Sequence, residues 1–289
     1  LADIPERPED FRLLERIPLT REPQSWPLEL SPMVGDEQPM VLLDTETTGL
    51  SADDESIIEL GMVKVLYSPS AKQIVSIVDV ISLYEDPGKP IPELITELTG
   101  ITDEMVQGQR IDDGLVASWL SDDPLVVAHN AQFDRPFFEK RFAALGHLSW
   151  ACSASGIDWK ALGFESRKLE YLLLRLGWFY EGHRAATDCL AMAWLFYLLP
   201  ESVANLLSEA DRRTVLVRAF GAPFDVKDYL KERGYRWHDG VKGANKHWWR
   251  EISEDELPQE QTYLDDLYHR GSEHAHYDYK DARNRFKAL

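Results

Sequence analysis

The stretch Val41-Leu42-Leu43-Asp44-Thr45-Glu46-Thr47-Thr48-Gly49-Leu50 joins an apolar run to two closely spaced carboxylates. Such a run predicts a central strand that is buried on both faces. Side chains two positions apart lie on one face of a strand, so Asp44 and Glu46 point the same way. Charges at the end of a buried strand are unfavourable unless they are paired or bind a cation. The stretch is therefore either a strand that ends in a polar turn or part of a metal site.

Two later segments place further acidic residues in similar settings. His129-Asn130-Ala131-Gln132-Phe133-Asp134 follows an apolar run at 125–128, which predicts a strand, an N-cap at Asn130 and a helix with Asp134 in its first turn. The apolar stripe of that helix is Phe133, Phe137, Phe138, Phe142 and Leu145. His183-Arg184-Ala185-Ala186-Thr187-Asp188 leads into a strongly apolar helical segment at 189–196.

Together these blocks resemble the DnaQ-like, or DEDDh, family of 3′–5′ exonucleases, which includes the proofreading subunit of bacterial replicative polymerase. The family motifs Asp-x-Glu-Thr-Thr-Gly, His-Asn-Ala-x-Phe-Asp and His-x-Ala-x-x-Asp begin at residues 44, 129 and 183. The resemblance covers residues 38–200. It implies an α/β, RNase H-like fold, with a mixed sheet flanked by helices, and release of nucleoside 5′-monophosphates from the 3′ end of single-stranded DNA.

Phosphodiester hydrolysis explains the residue types in these motifs. Two divalent ions can stabilise charge on the attacking and the leaving oxygen, and hard cations prefer oxygen ligands. By resemblance, Asp44, Glu46, Asp134 and Asp188 bind two Mg²⁺ or Mn²⁺ ions, with Asp44 as the bridging ligand. A histidine titrates near neutrality, so His183 is predicted to be the general base. Its alternative role is that of a core histidine or helix cap.

The resemblance also implies contacts to the end of the substrate. Thr47 and the backbone after Glu46 are expected to hold the 3′-hydroxyl. The residues expected to pack on the last base are Leu50 and the segment 98–101, which includes Thr99 and Ile101. Asn130 and Phe133 fit a substrate contact and a purely structural role equally well. His129 fits a packing role and is left out of the catalytic set.

The composition of the 289 residues is that of a globular protein, with 44% hydrophobic and 11% aromatic residues. There is no apolar run of transmembrane length and no signal-peptide pattern at the start. Cys152 and Cys189 form neither a disulfide framework nor a metal-spaced cluster, which predicts a reducing cytoplasm. The first residue is leucine, which indicates a trimmed chain.

The formal net charge of −19 is unusual for a protein that binds nucleic acid. It argues against a long duplex footprint and for brief engagement of a strand end. A steep salt dependence of binding would count against this interpretation.

Flanking segments complete the predicted domain organisation. Residues 1–38 carry six prolines, yet they contain enough large hydrophobics for an arm that docks on the domain, which is preferred over a disordered tail. Residues 39–218 form the exonuclease domain, with strands at 57–67 and 74–84 after the first and helices at 93–98, 103–107, 112–120 and 168–176. Thr102 is a predicted cap. Residues 149–159 depart from the family pattern, which places a strand there.

The remaining residues, 219–289, are predicted to form a small α+β accessory domain. A helix at 225–233 ends at Gly234, a hairpin follows at 235–238 and 246–250 across the loop 239–243, and an acidic helix covers 254–268. Between residues 231 and 250 there are six Lys/Arg and two acids. Interleaved aromatic and basic residues are typical of single-strand binding. The candidates are Arg236, Trp237, Lys246, Trp248, Trp249 and Arg250.

Two of these features leave alternatives open. The tryptophans serve either binding or the domain's own core, with Trp237 and Trp248 inward and Arg236 and Trp249 outward, or the reverse. For the whole chain, the alternatives are an RNA-directed 3′–5′ exonuclease and a non-catalytic scaffold for a partner complex. A scaffold has no reason to keep a costly carboxylate cluster, which favours an enzyme. A protein partner of the accessory domain and no membrane partner are expected.

Overall fold

The structure is a computed structural model that describes residues 5–21, 24–240 and 245–288. The chain divides into two compact units. Unit 1 is Leu1–Ala210 with Phe286–Leu289, and unit 2 is Asp211–Arg285. The division lies earlier than the predicted boundary at residue 219, because the segment that ends there, Thr214–Ala219, is a strand of the second unit's sheet.

Unit 1 contains eight strands and seven helices among its described residues. The strands are β1 (Glu15–Arg16), β2 (Leu28–Glu29), β3 (Gln38–Thr47), β4 (Ile57–Ser68), β5 (Gln73–Tyr84), β6 (Leu125–Ala128), β7 (Trp150–Cys152) and β8 (Trp178–Phe179). The helices are α1 (Glu93–Thr99), α2 (Asp103–Val106), α3 (Asp113–Trp119), α4 (Ala131–Arg141), α5 (Leu169–Arg175), α6 (Ala185–Leu198) and α7 (Pro200–Asp211). Short 3₁₀ helices occur at Pro8–Asp10, Pro18–Thr20 and Ala143–Leu145.

Six of these strands form one mixed sheet in the order β2-β5-β4-β3-β6-β7. Strands β3, β4 and β5 are antiparallel neighbours, whereas β6 and β7 run parallel to β3. The predicted mixed sheet flanked by helices is therefore confirmed. Strand β3 lies at its centre, as its apolar sequence indicates, because both of its faces must be covered.

Helices cover both faces of this sheet. Met40 and Leu42 of β3 contribute to a core with α5 and α6, and Val41 and Leu43 contribute to a core with α3 and α4. Helix α6 is apolar around most of its circumference because it is packed deep in unit 1. These layers bring the N-terminal ends of α4 and α6 to the end of β3 that carries the acidic residues.

Strand β7 corrects one expectation from the sequence. Residues 149–159 were predicted to depart from the family pattern, but Trp150–Cys152 is a strand that pairs in parallel with β6. All three of its residues are buried. A strand this short leaves no alternating pattern in the sequence, so its pairing with β6 decides its structure.

The proline-rich N-terminal segment packs on unit 1 over its described residues. Strand β1 pairs in parallel with β8, and β2 pairs with the sheet edge strand β5. Ile17 and Leu19 are buried in the core that contains α6. Of the prolines that predicted an extended arm, Pro23 lies outside the described residues.

Unit 2 is a four-stranded antiparallel sheet with helices packed on one face. Its elements are β9 (Thr214–Ala219), α8 (Lys227–Glu232), β10 (Arg236–His238), β11 (His247–Ser253), α9 (Leu257–Leu267), α10 (Gly271–His274) and β12 (Ala275–Lys280), with 3₁₀ turns at Phe224–Val226 and Glu254–Glu256. The strand order is β10-β11-β9-β12. The predicted hairpin is present, although residues 241–244 of its loop lie outside the described residues.

Among the described residues, no single helix is both long and apolar enough to cross a bilayer. The pair Ala185–Leu198 and Pro200–Asp211, bent by 107°, meets the length and composition requirement only when the two helices are taken together.

Candidate active site

Three of the four predicted metal ligands converge at the end of β3. Asp44 and Glu46 lie on the same face of the strand, and Asp188 is in the first turn of α6. One carboxylate oxygen from each lies within 4.8 Å of the others, and all three side chains are partly exposed. Their donor set is all oxygen, which suits a hard divalent cation. The group is therefore compatible with metal binding.

The close approach of α6 to β3 and β4 depends on Gly61. This glycine is paired with Asp44 across the sheet. A Cβ atom at Gly61 would lie 2.2 Å from the carbonyl carbon of Ala185, in the first turn of α6. Only glycine lets the helix start so near the strand, and this closeness brings Asp188 to Asp44 and Glu46.

Glu59 holds the same turn by hydrogen bonds. It is paired with Glu46 across the sheet and is 1% exposed. The Arg184 guanidinium donates to both Glu59 carboxylate oxygens, at 3.0 and 3.2 Å. The backbone N–H of Ala185 and the Ser82 hydroxyl also donate to them, at 3.2 and 2.6 Å. We call Glu59 and Gly61 the β4 seat of α6.

Sequence reasoning missed the β4 seat. The available signal was a carboxylate and a glycine, two positions apart, inside the largely apolar strand 57–67. A buried carboxylate requires a partner, but the partner is 125 residues away in the chain. No local pattern identifies it.

Asp188 is oriented by two further donors. The Tyr180 hydroxyl donates to one carboxylate oxygen at 3.0 Å, and the backbone N–H of Arg184 donates to the other at 3.1 Å. His183 directly precedes this turn, is exposed, and has a left-handed backbone conformation with φ of 64°. Burial raises the pKa of Asp188 above its ordinary value, although the hydrogen bonds from Tyr180 and Arg184 and the neighbouring His183 act in the opposite direction.

Asp134, the fourth predicted ligand, reaches the strand end from the other face of the sheet. It is buried in the first turn of α4, which packs with Val41 and Leu43. One of its oxygens accepts hydrogen bonds from the Thr45 backbone N–H and hydroxyl, at 3.1 and 2.8 Å. Among the described residues, it stands outside the group of three converging carboxylates.

Burial and crowding disfavour the charged forms of these carboxylates. Burial, followed by the neighbouring carboxylates, raises the pKa of Asp44 well above its ordinary value. The same causes raise the pKa of Glu46 to about 8. Burial also raises the pKa of Asp134 to about 7, although the hydrogen bonds from Thr45 act in the opposite direction. A bound cation would relieve this repulsion.

We predict that the metal-free protein is less stable at pH 8 than at pH 5.5. Unfolded carboxyls release their protons near pH 4, whereas the folded site holds protons up to about pH 7 to 8. The folded state therefore binds more protons in this window, and its stability falls as pH rises. Melting temperatures in EDTA should decrease from pH 5.5 to 8, and Mg²⁺ should raise them mainly at pH 8. An Asp44→Asn variant whose pH dependence matches the parent's would contradict this cause.

We also predict that Gly61→Ala lowers turnover by about 10²-fold while the protein remains folded. The added methyl group must push the first turn of α6 away, and a misplacement of about 1 Å in a catalytic group can have an effect of this size. Single-turnover hydrolysis measures the effect. Overpacking alone destabilises by about 1–3 kcal/mol. Ala151→Val, on the carboxylate-free strand β7, is the matched overpacking control and should keep its activity. Equal losses of activity in both variants would refute a specific role for Gly61.

The residues predicted to contact the substrate end differ in exposure. Leu50 is 88% exposed, on a loop where Lys140 donates to the carbonyls of Ala52, Asp53 and Glu55. Thr47 is buried and donates to the Gly49 carbonyl at 2.6 Å. Thr99 and Ile101 are both buried, and Ile101 belongs to a small core with Ile58. In this structure Leu50 and Leu98, which is 51% exposed, are the members of the set with accessible apolar side chains.

Asn130 and Thr102 occupy N-cap positions, but neither side chain makes the predicted cap hydrogen bond. Phe133 packs against the core on the α4 side of the sheet, with its ring 5.1 Å from that of Phe137. His129 has a supporting role. Its Nε2–H donates to the Arg167 carbonyl, its Nδ1 accepts from the Ser153 hydroxyl, and burial lowers its pKa to about 4.

The accessory-domain candidates lie in two different settings. Trp248 is buried in the unit 2 core, and Arg250 donates to the buried Glu260 at 3.1 Å. Trp237 stands opposite Trp248, at 5.2 Å between ring centroids, and is 50% exposed. Arg236 and Trp249 lie on the other face of the sheet, as one of the two predicted arrangements required. Lys246 is exposed, and Lys242 lies outside the described residues.

Comparisons with known proteins agree with the motifs. Residues 41–196 match the family model RNase_T, described as an exonuclease. The match includes all three motifs, so the predicted resemblance is confirmed. DNA polymerase III PolC-type of Bacillus subtilis (strain 168) is 33% identical over 180 residues, 59% of this chain and 12% of that protein. The corresponding protein of Halalkalibacterium halodurans is 40% identical over 108 residues, 37% of this chain and 7% of that protein. The chain therefore corresponds to only a small part of these relatives.

A solved structure described as exonuclease X in complex with 5′ overhanging duplex DNA is also similar. It is 21% identical, with a TM-score of 0.45 over 59% of this chain and 98% of that chain.

Proposed function

The chain belongs to the RNase_T exonuclease family, and from this membership we propose that it hydrolyses DNA from the 3′ end, one nucleotide at a time. The observation that carries the proposal is the convergence of Asp44, Glu46 and Asp188 within 4.8 Å at the end of β3. DNA is the proposed substrate because the similar proteins are named DNA polymerases. The family membership establishes a nuclease. The 3′-to-5′ direction and the DNA substrate are the parts that we propose.

Asp44, Glu46, Asp134 and Asp188 are the residues proposed to hold two Mg²⁺ or Mn²⁺ ions. When bound, such ions supply positive charge to the attacking and the leaving oxygen of the phosphodiester. Hydrogen bonds from the Tyr180 hydroxyl and the Arg184 backbone fix the orientation of the Asp188 carboxylate, which supports this assignment. Thr45 likewise holds the Asp134 carboxylate.

His183 is proposed to take the proton of the attacking water. Its exposure makes the ring accessible to a substrate, and its position before α6 places it close to Asp188. The hydrogen bonds from Arg184 and Ala185 to Glu59 secure the backbone that follows it. Anchoring of the neighbouring backbone supports this role, because a general base must stay within hydrogen-bond reach of the proton that it takes.

Leu50, with Leu98, is proposed to pack against the last base. Both side chains are more than half exposed, and the Leu50 loop is anchored by Lys140. Three further predicted residues, Thr47, Thr99 and Ile101, are buried. They are proposed to support the exposed contact residues from the protein interior. Asn130 and Phe133 remain predicted contacts to the 3′ end of the nucleic acid. The preference for single strands follows from the net charge of −19, which disfavours a long duplex footprint.

The proposal is tested with 3′-labelled and 5′-labelled single strands of DNA and RNA, in Mg²⁺, Mn²⁺ or EDTA. The expected result is metal-dependent release of nucleoside 5′-monophosphates from the 3′ end, faster with DNA. Faster hydrolysis of RNA would establish the RNA-directed alternative. No cleavage of any strand would overturn the proposal in favour of a scaffold. The cytoplasmic location predicted from two unpaired cysteines belongs to the same proposal.

A further inference from the structure

The sheet of unit 2 has one face that its helices leave uncovered. Val215, Val217 and Ala219 of β9 pack with Leu230 of α8 and Leu264 of α9. Alternation along β9 then places Leu216 and Arg218 on the opposite face. We call this opposite face, within the described residues of unit 2, the outer face.

A single row of side chains crosses the outer face. Arg236, Trp249, Arg218 and His276 are paired across β10, β11, β9 and β12 in turn. The Arg236 guanidinium lies 5.4 Å from the centroid of the Trp249 ring. Arg236 and His276 are exposed, and Trp249 and Arg218 are partly exposed. The row therefore presents an aromatic ring between two arginines.

A second aromatic pair adjoins this row. His238 and His247 belong to the same face and stack with ring centroids 4.9 Å apart and planes inclined by 17°. Phe220 packs on His247 at 4.9 Å. His247 is buried, and His238 and Phe220 are partly exposed, so this pair borders the row as packed support.

Charge in unit 2 is distributed unevenly between its two sides. Residues 211–285 carry 14 Lys/Arg and 15 Asp/Glu, so this unit contributes only −1 to the chain's −19. Six of its acids lie at 254–266 with no Lys or Arg among them. That segment belongs to the helical side, since Leu257 and Leu264 face the core. The outer face carries Arg236, Arg218 and Lys280 against Glu251 and Asp278. Three basic side chains thus face two acidic ones on the outer face, whereas the segment 254–266 is wholly acidic in its charges.

We propose that the outer face binds single-stranded nucleic acid, with a base stacked on Trp249 and phosphates beside Arg236 and Arg218. Stacking tolerates any base, because every base has a π-face. The arginines supply the positive charge that phosphates require, and Asp278 holds Arg218 by an ion pair at 2.7 Å. The proposed binding residues all belong to unit 2, and the proposal does not depend on the reaction at the carboxylate group of unit 1.

The test measures fluorescence anisotropy of labelled (dT)₂₀ and (rU)₂₀ with the full chain in EDTA at low salt. Trp249→Leu, which keeps an apolar side chain, should weaken binding about fivefold or more, the effect of losing one stacked base. Arg236→Glu should weaken binding and reduce its salt dependence. Trp237→Leu is the matched control, since Trp237 is on the same hairpin but the other face, and it should bind as the parent does.

The proposal fails if Trp249→Leu and Arg236→Glu both bind like the parent, or if Trp237→Leu weakens binding as much as they do. Arg236→Glu decides the matter if Trp249→Leu unfolds, because Arg236 is exposed. Hydrolysis of a p-nitrophenyl ester of thymidine 5′-monophosphate separates the two proposals. This substrate is too short to span a second site, so its turnover should be unchanged in all three variants. Failure of the parent to hydrolyse it would count against the catalytic proposal alone.

Discussion

Asp44→Asn should reduce nucleotide release by on the order of 10³-fold or more. Asp44 is one of the three converging carboxylates, and a lost contribution of several kcal/mol to charge stabilisation corresponds to three or more powers of ten in rate. The measurement is single-turnover cleavage of a 5′-labelled strand in saturating Mg²⁺. Asp79→Asn, an exposed Asp on β5, is the matched control and should retain parental activity.

The same substitution should stabilise the metal-free protein at pH 8. Replacing the Asp44 carboxyl by a neutral amide removes the burial penalty and the repulsion from neighbouring carboxylates that raise its pKa. The melting temperature in EDTA should therefore rise, and Mg²⁺ should increase it less than in the parent. Loss of activity together with a lower melting temperature would indicate misfolding. Retained activity would remove Asp44 from the site.

His183→Ala should lower turnover by about 10²–10⁴-fold, the usual contribution of a general base. Substrate binding should change little, because the metal ligands and Glu59 are intact. The fall should therefore appear in kcat rather than in KM. Rates from pH 6 to 9 measure a second consequence. In the parent, turnover should rise with pH as a base loses its proton, and the variant should lose that rise.

His147→Ala provides the control for His183. His147 is an exposed histidine of unit 1 that contacts Asp123 rather than the carboxylate group. Its removal should leave both the rate and the pH profile unchanged. If His183→Ala matched the parent in rate, another group would have to be the base. If it lost activity but kept the parental pH profile, its role would be structural.

Much of the catalytic region was predictable because its signals are local. The apolar run before Asp44, the stripe after Asn130 and the helix after His183 each follow from periodicity within one segment. All three motif segments form the predicted elements. The exceptions are one short strand and one helix cap. Strand β7 has three residues, and the Asn130 side chain makes no cap hydrogen bond even though its position is right.

In unit 2, the orientation of the side chains and the boundary could not be predicted from the sequence. Its sequence allowed Trp237 and Trp248 to face either way. Alternation along a strand shows which side chains share a face of the sheet but not which face is buried. Packing of α8 and α9 on one face decides the matter, with Trp248 in the core and Trp249 on the outer face. The boundary of the unit depended on the pairing of β9, which joins β11 and β12 from a distance in the chain.

By itself, the sequence determined which residue types are available for catalysis and on which elements they lie, since those properties depend on neighbours along the chain. Only the tertiary structure decided which carboxylates meet. Asp44, Glu46 and Asp188 come together because Gly61 admits α6 and Glu59 anchors it, whereas Asp134 reaches the same strand end from α4 and is held there by Thr45. These contacts join residues far apart in sequence, where periodicity carries no information about distance.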